Sequence, residues 1–161
     1  MDKKILTLYF TRSGHTKHVA EVIQEAVGGD IAEIKTRRTY SSSYFGAIVQ
    51  GGLEKMKNAR PALEPLSAQP ADYDIIFLGT PVWWFTMAPA MKSFLESANL
   101  AGKTVIPFIT NGGKPSAAPA DFTAALHLPE DACFSVCYKG NTPTVSDETI
   151  RAWAERMVQD L

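Results

Sequence analysis

Thr11-Arg12-Ser13-Gly14-His15-Thr16 follow one another between an apolar run and a helical pattern. Three hydroxyls, a guanidinium, an imidazole and one glycine are the parts of an anion site. Hydroxyls donate hydrogen bonds, glycine permits a tight turn, and the N-terminus of a following helix adds unpaired amides with partial positive charge. An ordinary helix cap needs one hydroxyl. Three around a glycine exceed that need, so the stretch reads as a phosphate loop. No G-x-x-x-x-G-K-[ST] occurs, and no G-x-G-x-x-G follows a strand, which leaves nucleoside triphosphate hydrolysis and dinucleotide binding without a motif.

Two further stretches join the first. In Pro81-Val82-Trp83-Trp84-Phe85 three aromatics crowd the end of an apolar run, where they suit stacking against a flat ring while nearby backbone reads its polar edge. In Asn111-Gly112-Gly113-Lys114 two glycines allow close approach of backbone to a ligand. One phosphate, one flat conjugated ring and a short polar spacer describe flavin mononucleotide (FMN). Cys133 and Cys137 fall in one short apolar run and, if it is a strand, stand about 13 Å apart at roughly 3.3 Å per residue, too far for a disulfide. They read as plain buried thiols without the clustered histidine of a zinc site, so no metal is expected. His18 and His127 read as surface or packing residues.

The elements that must hold these stretches alternate between strand and helix. Strands are expected over Lys4–Phe10, Asp30–Lys35, Tyr73–Thr80, Lys103–Thr110 and Ala132–Tyr138. Val19, Val22, Ile23, Ala26 and Val27 mark one helical face, which Gly28-Gly29 ends. Pro89 suits the first turn of a helix with Ala90, Met91, Phe94, Leu95 and Ala98 inward. A short helix is expected near Ala120–Leu126, and Ile150, Trp153, Ala154, Met157, Val158 and Leu161 form a final stripe. Residues 36–72 are the least legible. A helix is expected over Phe45–Lys57, with Tyr40 and Tyr44 as candidates for a substrate wall.

Strands that alternate with helices predict an α/β domain: a doubly wound five-stranded parallel sheet, helices on both faces. Ligands of such sheets bind beyond the carboxyl ends of the strands, and the three singled-out turns all follow strands. At 161 residues the chain is expected to be one domain over 1–161. A net charge of −1 gives no field for nucleic acid. No apolar run nears the roughly 18 residues of a membrane span, and a cytoplasmic location is expected.

With these residues in view the chain resembles a flavodoxin. T-R-S-G-H-T is similar to that family's hydroxyl-rich phosphate loop, G-T-P-V-W-W-F-T-M-A-P to a segment lining the flavin ring, and T-N-G-G-K-P-S to its glycine-bearing third loop. The resemblance implies strand order 2-1-3-4-5 and the short-chain form, without an interrupted last strand. It implies that Thr11, Arg12, Ser13, Gly14, His15 and Thr16 bind the FMN phosphate, while Pro81, Val82, Trp83, Trp84, Phe85, Asn111, Gly112, Gly113 and Lys114 border the ring. The first functional expectation is an electron carrier serving a redox partner protein. The alternative is a reductase passing electrons from NAD(P)H to a quinone or other small acceptor, which near-neutral charge favours because flavodoxin carriers are usually strongly acidic. A flavin-binding module without redox turnover is the third.

Overall fold

The computed structural model of the chain describes residues 2–37 and 60–161. The expected helix over 45–57, and Tyr40 and Tyr44 with it, lie outside the described residues. Within them the order is β1 (Ile5–Tyr9), α1 (His15–Val27), β2 (Asp30–Glu33), β3 (Ile75–Trp83), β4 (Thr86–Met87), α2 (Pro89–Ser97), β5 (Thr104–Asn111), α3 (Ala118–Ala125), β6 (Phe134–Lys139), β7 (Thr142–Pro143) and α4 (Asp147–Gln159). Short 3₁₀ turns at Pro70–Asp72 and Glu130–Ala132 lead into β3 and β6.

The sheet runs β2-β1-β3-β5-β6-β7, with β4 beside β3. Leu6 stands opposite Asp30, Ile5 opposite Ile75, Ile75 opposite Thr104 and Phe108 opposite Phe134, all in parallel pairs. The expected five-stranded sheet of order 2-1-3-4-5 is therefore corrected to seven strands among the described residues, since β4 and β7 each fold back antiparallel as two-residue strands. Two residues are too few to show a period-two pattern, so no apolar alternation announces them.

Both faces of the sheet are covered, which is why its central strands read as continuous apolar runs. Alternate residues of β1 and β3 divide between two cores. Leu6, Leu8, Ile76 and Leu78 pack with Met91 and Phe94 of α2 and Phe122 of α3. Tyr9, Ile75 and Phe77 pack with Val19 and Ile23 of α1 and with Ile150 and Trp153 of α4. Complete burial of each such Leu, Ile or Phe contributes roughly 1.5–3 kcal/mol. Gly79 of β3 sits under the Phe108 ring, and any side chain there would collide with that ring.

The helices begin and end where local chemistry dictates. α1 stops at Gly28, whose N–H donates to the Gln24 carbonyl at 2.8 Å. α2 opens on Pro89, whose missing donor costs nothing in a first turn. α4 is capped by Ser146, whose Oγ accepts from the Thr149 N–H at 3.2 Å. Among the described residues no helix is long and apolar enough to cross a membrane. Because β1, β3 and β5 are parallel, the segments after all three open on one edge of the sheet.

Candidate functional site

Residues 11–14 form the turn between β1 and α1. Gly14 caps the helix at φ 95°, a left-handed conformation that strains any side chain. No side chain caps α1 in the usual way. Instead Thr11 Oγ1 accepts from the Gly14 N–H at 3.1 Å and from the Lys17 N–H at 3.4 Å. That leaves the Thr11 hydroxyl proton to donate elsewhere. The first intrahelical bond runs from the His18 N–H to the Gly14 carbonyl, so the amides of His15 and Thr16 have no partner within the helix. Ser13 and Arg12 are exposed at the turn.

Thr16 and His15 turn to other partners. Thr16 is buried and its hydroxyl is bonded to that of Thr110 at 2.8 Å, tying α1 to the end of β5. The His15 ring stacks on Tyr138 at 4.0 Å between centroids and 3° between planes. Its Nε2 is 3.2 Å from Asn141 Oδ1. These two residues therefore offer backbone amides to the turn and spend their side chains on the scaffold.

The second stretch differs from the expected loop. β3 continues through Pro81, Val82 and Trp83, and the turn shrinks to Trp84-Phe85 between the paired residues Trp83 and Thr86. Both turn residues have positive φ, 51° at Trp84 and 68° at Phe85. A two-residue hairpin of this hand normally takes Asn-Gly, and a bulky residue there costs roughly 1–2 kcal/mol. Two bonds hold it: the Ala117 N–H donates to the Phe85 carbonyl at 3.1 Å, and Thr86 Oγ1 donates to Asp121 Oδ2 at 2.7 Å. Phe85 is 58% exposed, Trp84 half-buried and Trp83 buried. Of the three aromatics, then, Trp83 is core, stacked on Phe10 with centroids 6.2 Å apart.

In the third stretch Asn111 is the last residue of β5 and is buried. Its Nδ2 donates to Ser135 Oγ at 3.0 Å and its Oδ1 accepts from the Gly113 N–H at 3.2 Å. Gly112, Gly113 and Lys114 are exposed, and a Cβ on either glycine would meet nothing within 4 Å.

The three stretches meet. The Arg12 guanidinium lies over the Trp83 ring at 5.5 Å, joining the first to the second. The Ala117–Phe85 bond joins the second to the helix after the third, and Thr16–Thr110 joins the third to the first. Cys137 of β6 points its Sγ at the Gly113 carbonyl, 3.6 Å away.

Four residues that brace the three stretches were not among the expected site residues: Thr110, Tyr138, Asn141 and Asp121. Tyr138 lies in the strand expected over Ala132–Tyr138 and belongs to the core as well. Gly140-Asn141 between Lys139 and Thr142 is a two-residue hairpin signal that could have located Asn141. Burial pushes the Tyr138 phenol up to about 12, with the Asp147 charge adding to it, so at neutral pH it keeps the proton it donates to the His15 carbonyl at 3.2 Å. Burial likewise pushes the Cys133 thiol up to about 12, far from a reactive thiolate.

A left-handed glycine, a serine and two helix-start amides suit a phosphate, and the open glycines and exposed aromatics suit the edge of a ring. Among known proteins, the chain is 27% identical over 135 residues to an NAD(P)H dehydrogenase (quinone) of Paracoccus denitrificans, covering 77% of this chain and 64% of that protein's length. It is similar to the crystal structure of a candidate flavoprotein from Bacteroides eggerthii, at 28% identity and a TM-score of 0.76 over 98% of this chain and 99% of that one. A flavoprotein of Lactobacillus acidophilus solved in complex with FMN shares the fold, at 24% identity and a TM-score of 0.64 over 84% of this chain and 91% of that one. The model of the family described as Flavodoxin matches residues 4–157, and with that match the chain belongs to the flavodoxin family.

Proposed function

We propose that this chain binds FMN without a covalent bond and works as a redox protein. One observation carries the reading. The turn after β1 offers the His15 and Thr16 amides, the Ser13 hydroxyl and a left-handed Gly14 beside the exposed turn of the β3–β4 hairpin. In this reading Thr11, Arg12, Ser13, Gly14, His15 and Thr16 hold the phosphate, His15 and Thr16 through their amides. Pro81, Val82, Trp84, Phe85, Asn111, Gly112, Gly113 and Lys114 border the ring, and Trp83 supports it from the core with Arg12 above. FMN would supply the electron-accepting ring. The chain binds it, orients it and leaves one edge open to a partner.

Transfer to a redox partner protein is the first role. A second, reduction of a quinone or similar small acceptor by NAD(P)H, is supported by the name of the Paracoccus denitrificans relative, of which this chain spans less than two thirds. Anaerobic absorbance of the purified protein, before and after FMN and then NADPH, separates the cases. Uptake of FMN with much weaker uptake of riboflavin supports the phosphate loop. Bleaching by NADPH supports the reductase, and an unchanged spectrum supports the carrier. A protein that takes up no flavin overturns the proposal.

A further inference from the structure

The β6–β7 hairpin lies outside the three stretches of the site, yet it reaches the start of α1 by three contacts. The Tyr138 ring covers the His15 imidazole in a face-to-face stack. The Tyr138 hydroxyl donates to the His15 carbonyl at 3.2 Å, and Asn141 Oδ1 meets His15 Nε2 at 3.2 Å. The hairpin is itself fixed: Thr144 N–H and Oγ1 both donate to the Cys137 carbonyl, at 2.8 and 3.0 Å. Beyond β7's end at Pro143 the chain enters α4 at Asp147, whose Oδ1 sits 2.9 Å from His18 Nε2, a turn further along α1. Successive residues of a strand point to opposite faces, so β6 sends Cys137 toward Gly113 and Tyr138 toward His15.

None of these groups is needed to start a helix. Gly14 and Thr11 already do that. What the contacts fix is the orientation of the His15 peptide and side chain, and hence the direction of the amides that open α1. Amides converge on an anion only if they are held before it arrives, because ordering them afterwards subtracts from affinity. We infer that Tyr138 and Asn141 are positioning residues for phosphate: the hairpin clamps His15 so that the first turn of α1 is set to receive a phosphomonoester. This deepens the proposed FMN reading and rests on it.

Flavin affinity with and without the phosphate separates positioning from general support. Tyr138→Phe keeps the ring stack and removes the donated O–H, and Asn141→Ala removes the Nε2 partner. The double variant is expected to lose about tenfold in FMN affinity, in line with two hydrogen bonds, while riboflavin affinity moves less than about twofold. Flavin-fluorescence titration with both ligands reads the ratio, and circular dichroism melting reports folding. An FMN-to-riboflavin ratio equal to that of the wild type overturns the inference. So does a parallel fall in both affinities with a lowered Tm, which marks a purely structural role. A wild-type ratio near one overturns the phosphate reading itself, and this inference with it.

Discussion

Thr11 is the residue on which the first turn hangs. Its oxygen takes the Gly14 and Lys17 amides, and in the proposed reading its remaining proton is donated to the phosphate. Thr11→Val keeps the β-branched shape and removes all three functions. FMN affinity is expected to fall about tenfold, with riboflavin affinity changing far less, as measured by titration of flavin fluorescence. Equal losses for both ligands would mean that Thr11 only shapes the turn. The tyrosines set a second expectation. Burial, with Glu33 and Glu21 nearby, raises Tyr9 to about 12. A hydrogen bond to Asp30 does the same for Tyr73, at 2.6 Å, and burial does so for Tyr138. In each case the folded value lies above the ordinary 10. The unfolded chain therefore loses these protons first as pH rises. Stability from these groups is intact below about pH 10 and is lost between about 10 and 12. Denaturant unfolding at a series of alkaline pH values, read with tyrosinate absorbance, checks this. Stability that is flat through that window would contradict it.

At the scale of elements, legibility followed length and period. β1, β3, β5 and β6 showed as apolar runs because both sheet faces are covered, and α1 and α4 showed as stripes because each presents one face to the sheet. The hydroxyl-rich turn was legible because its residue types exceed what a cap requires. What stayed hidden was pairing. Nothing in Pro81-Val82-Trp83 says that β3 continues through them, since a proline and two large side chains look like a loop until Thr86 and Met87 fold back alongside. Tyr138 was invisible as a site neighbour for a similar reason: its partner His15 is 123 positions away in sequence. The Trp84-Phe85 turn yields its own expectation. Phe85→Gly removes a left-handed bulky residue that is mostly exposed, so stability should rise by roughly 0.5–1 kcal/mol. FMN affinity should fall at the same time if the aromatic borders the ring. Thermal melting and flavin titration on the same variant check both directions, and a variant that gains stability at no loss of affinity would remove Phe85 from the site.

For the whole molecule, the proposed site is assembled from loops that the sheet brings together, so its ligand and the fold should be linked. A ligand that binds only the folded chain stabilises it by about 2.7 kcal/mol at a hundredfold excess over Kd. For a domain of this size that is a rise in Tm of roughly 5–11 °C. FMN added to the flavin-free protein should produce such a rise, and riboflavin a smaller one. A Tm unmoved by excess FMN would count against a site spanning the three loops.

The division of the interior by the sheet has an optical consequence. The chain has three tryptophans. Trp83 is buried in, and Trp84 packs against, the core shared with α2 and α3. Trp153 lies on the other side, stacked on Phe134 at 4.2 Å and edge-on to Phe77 at 5.8 Å. Each face thus carries its own chromophore. Emission from a protein retaining only Trp153 would follow the melting of the α1–α4 side, and emission from one retaining only Trp83 and Trp84 would follow the other. Superimposable curves would mean that the sheet makes its two faces a single cooperative unit. Curves that part would mean that one side of the molecule can lose its order while the other still glows as native.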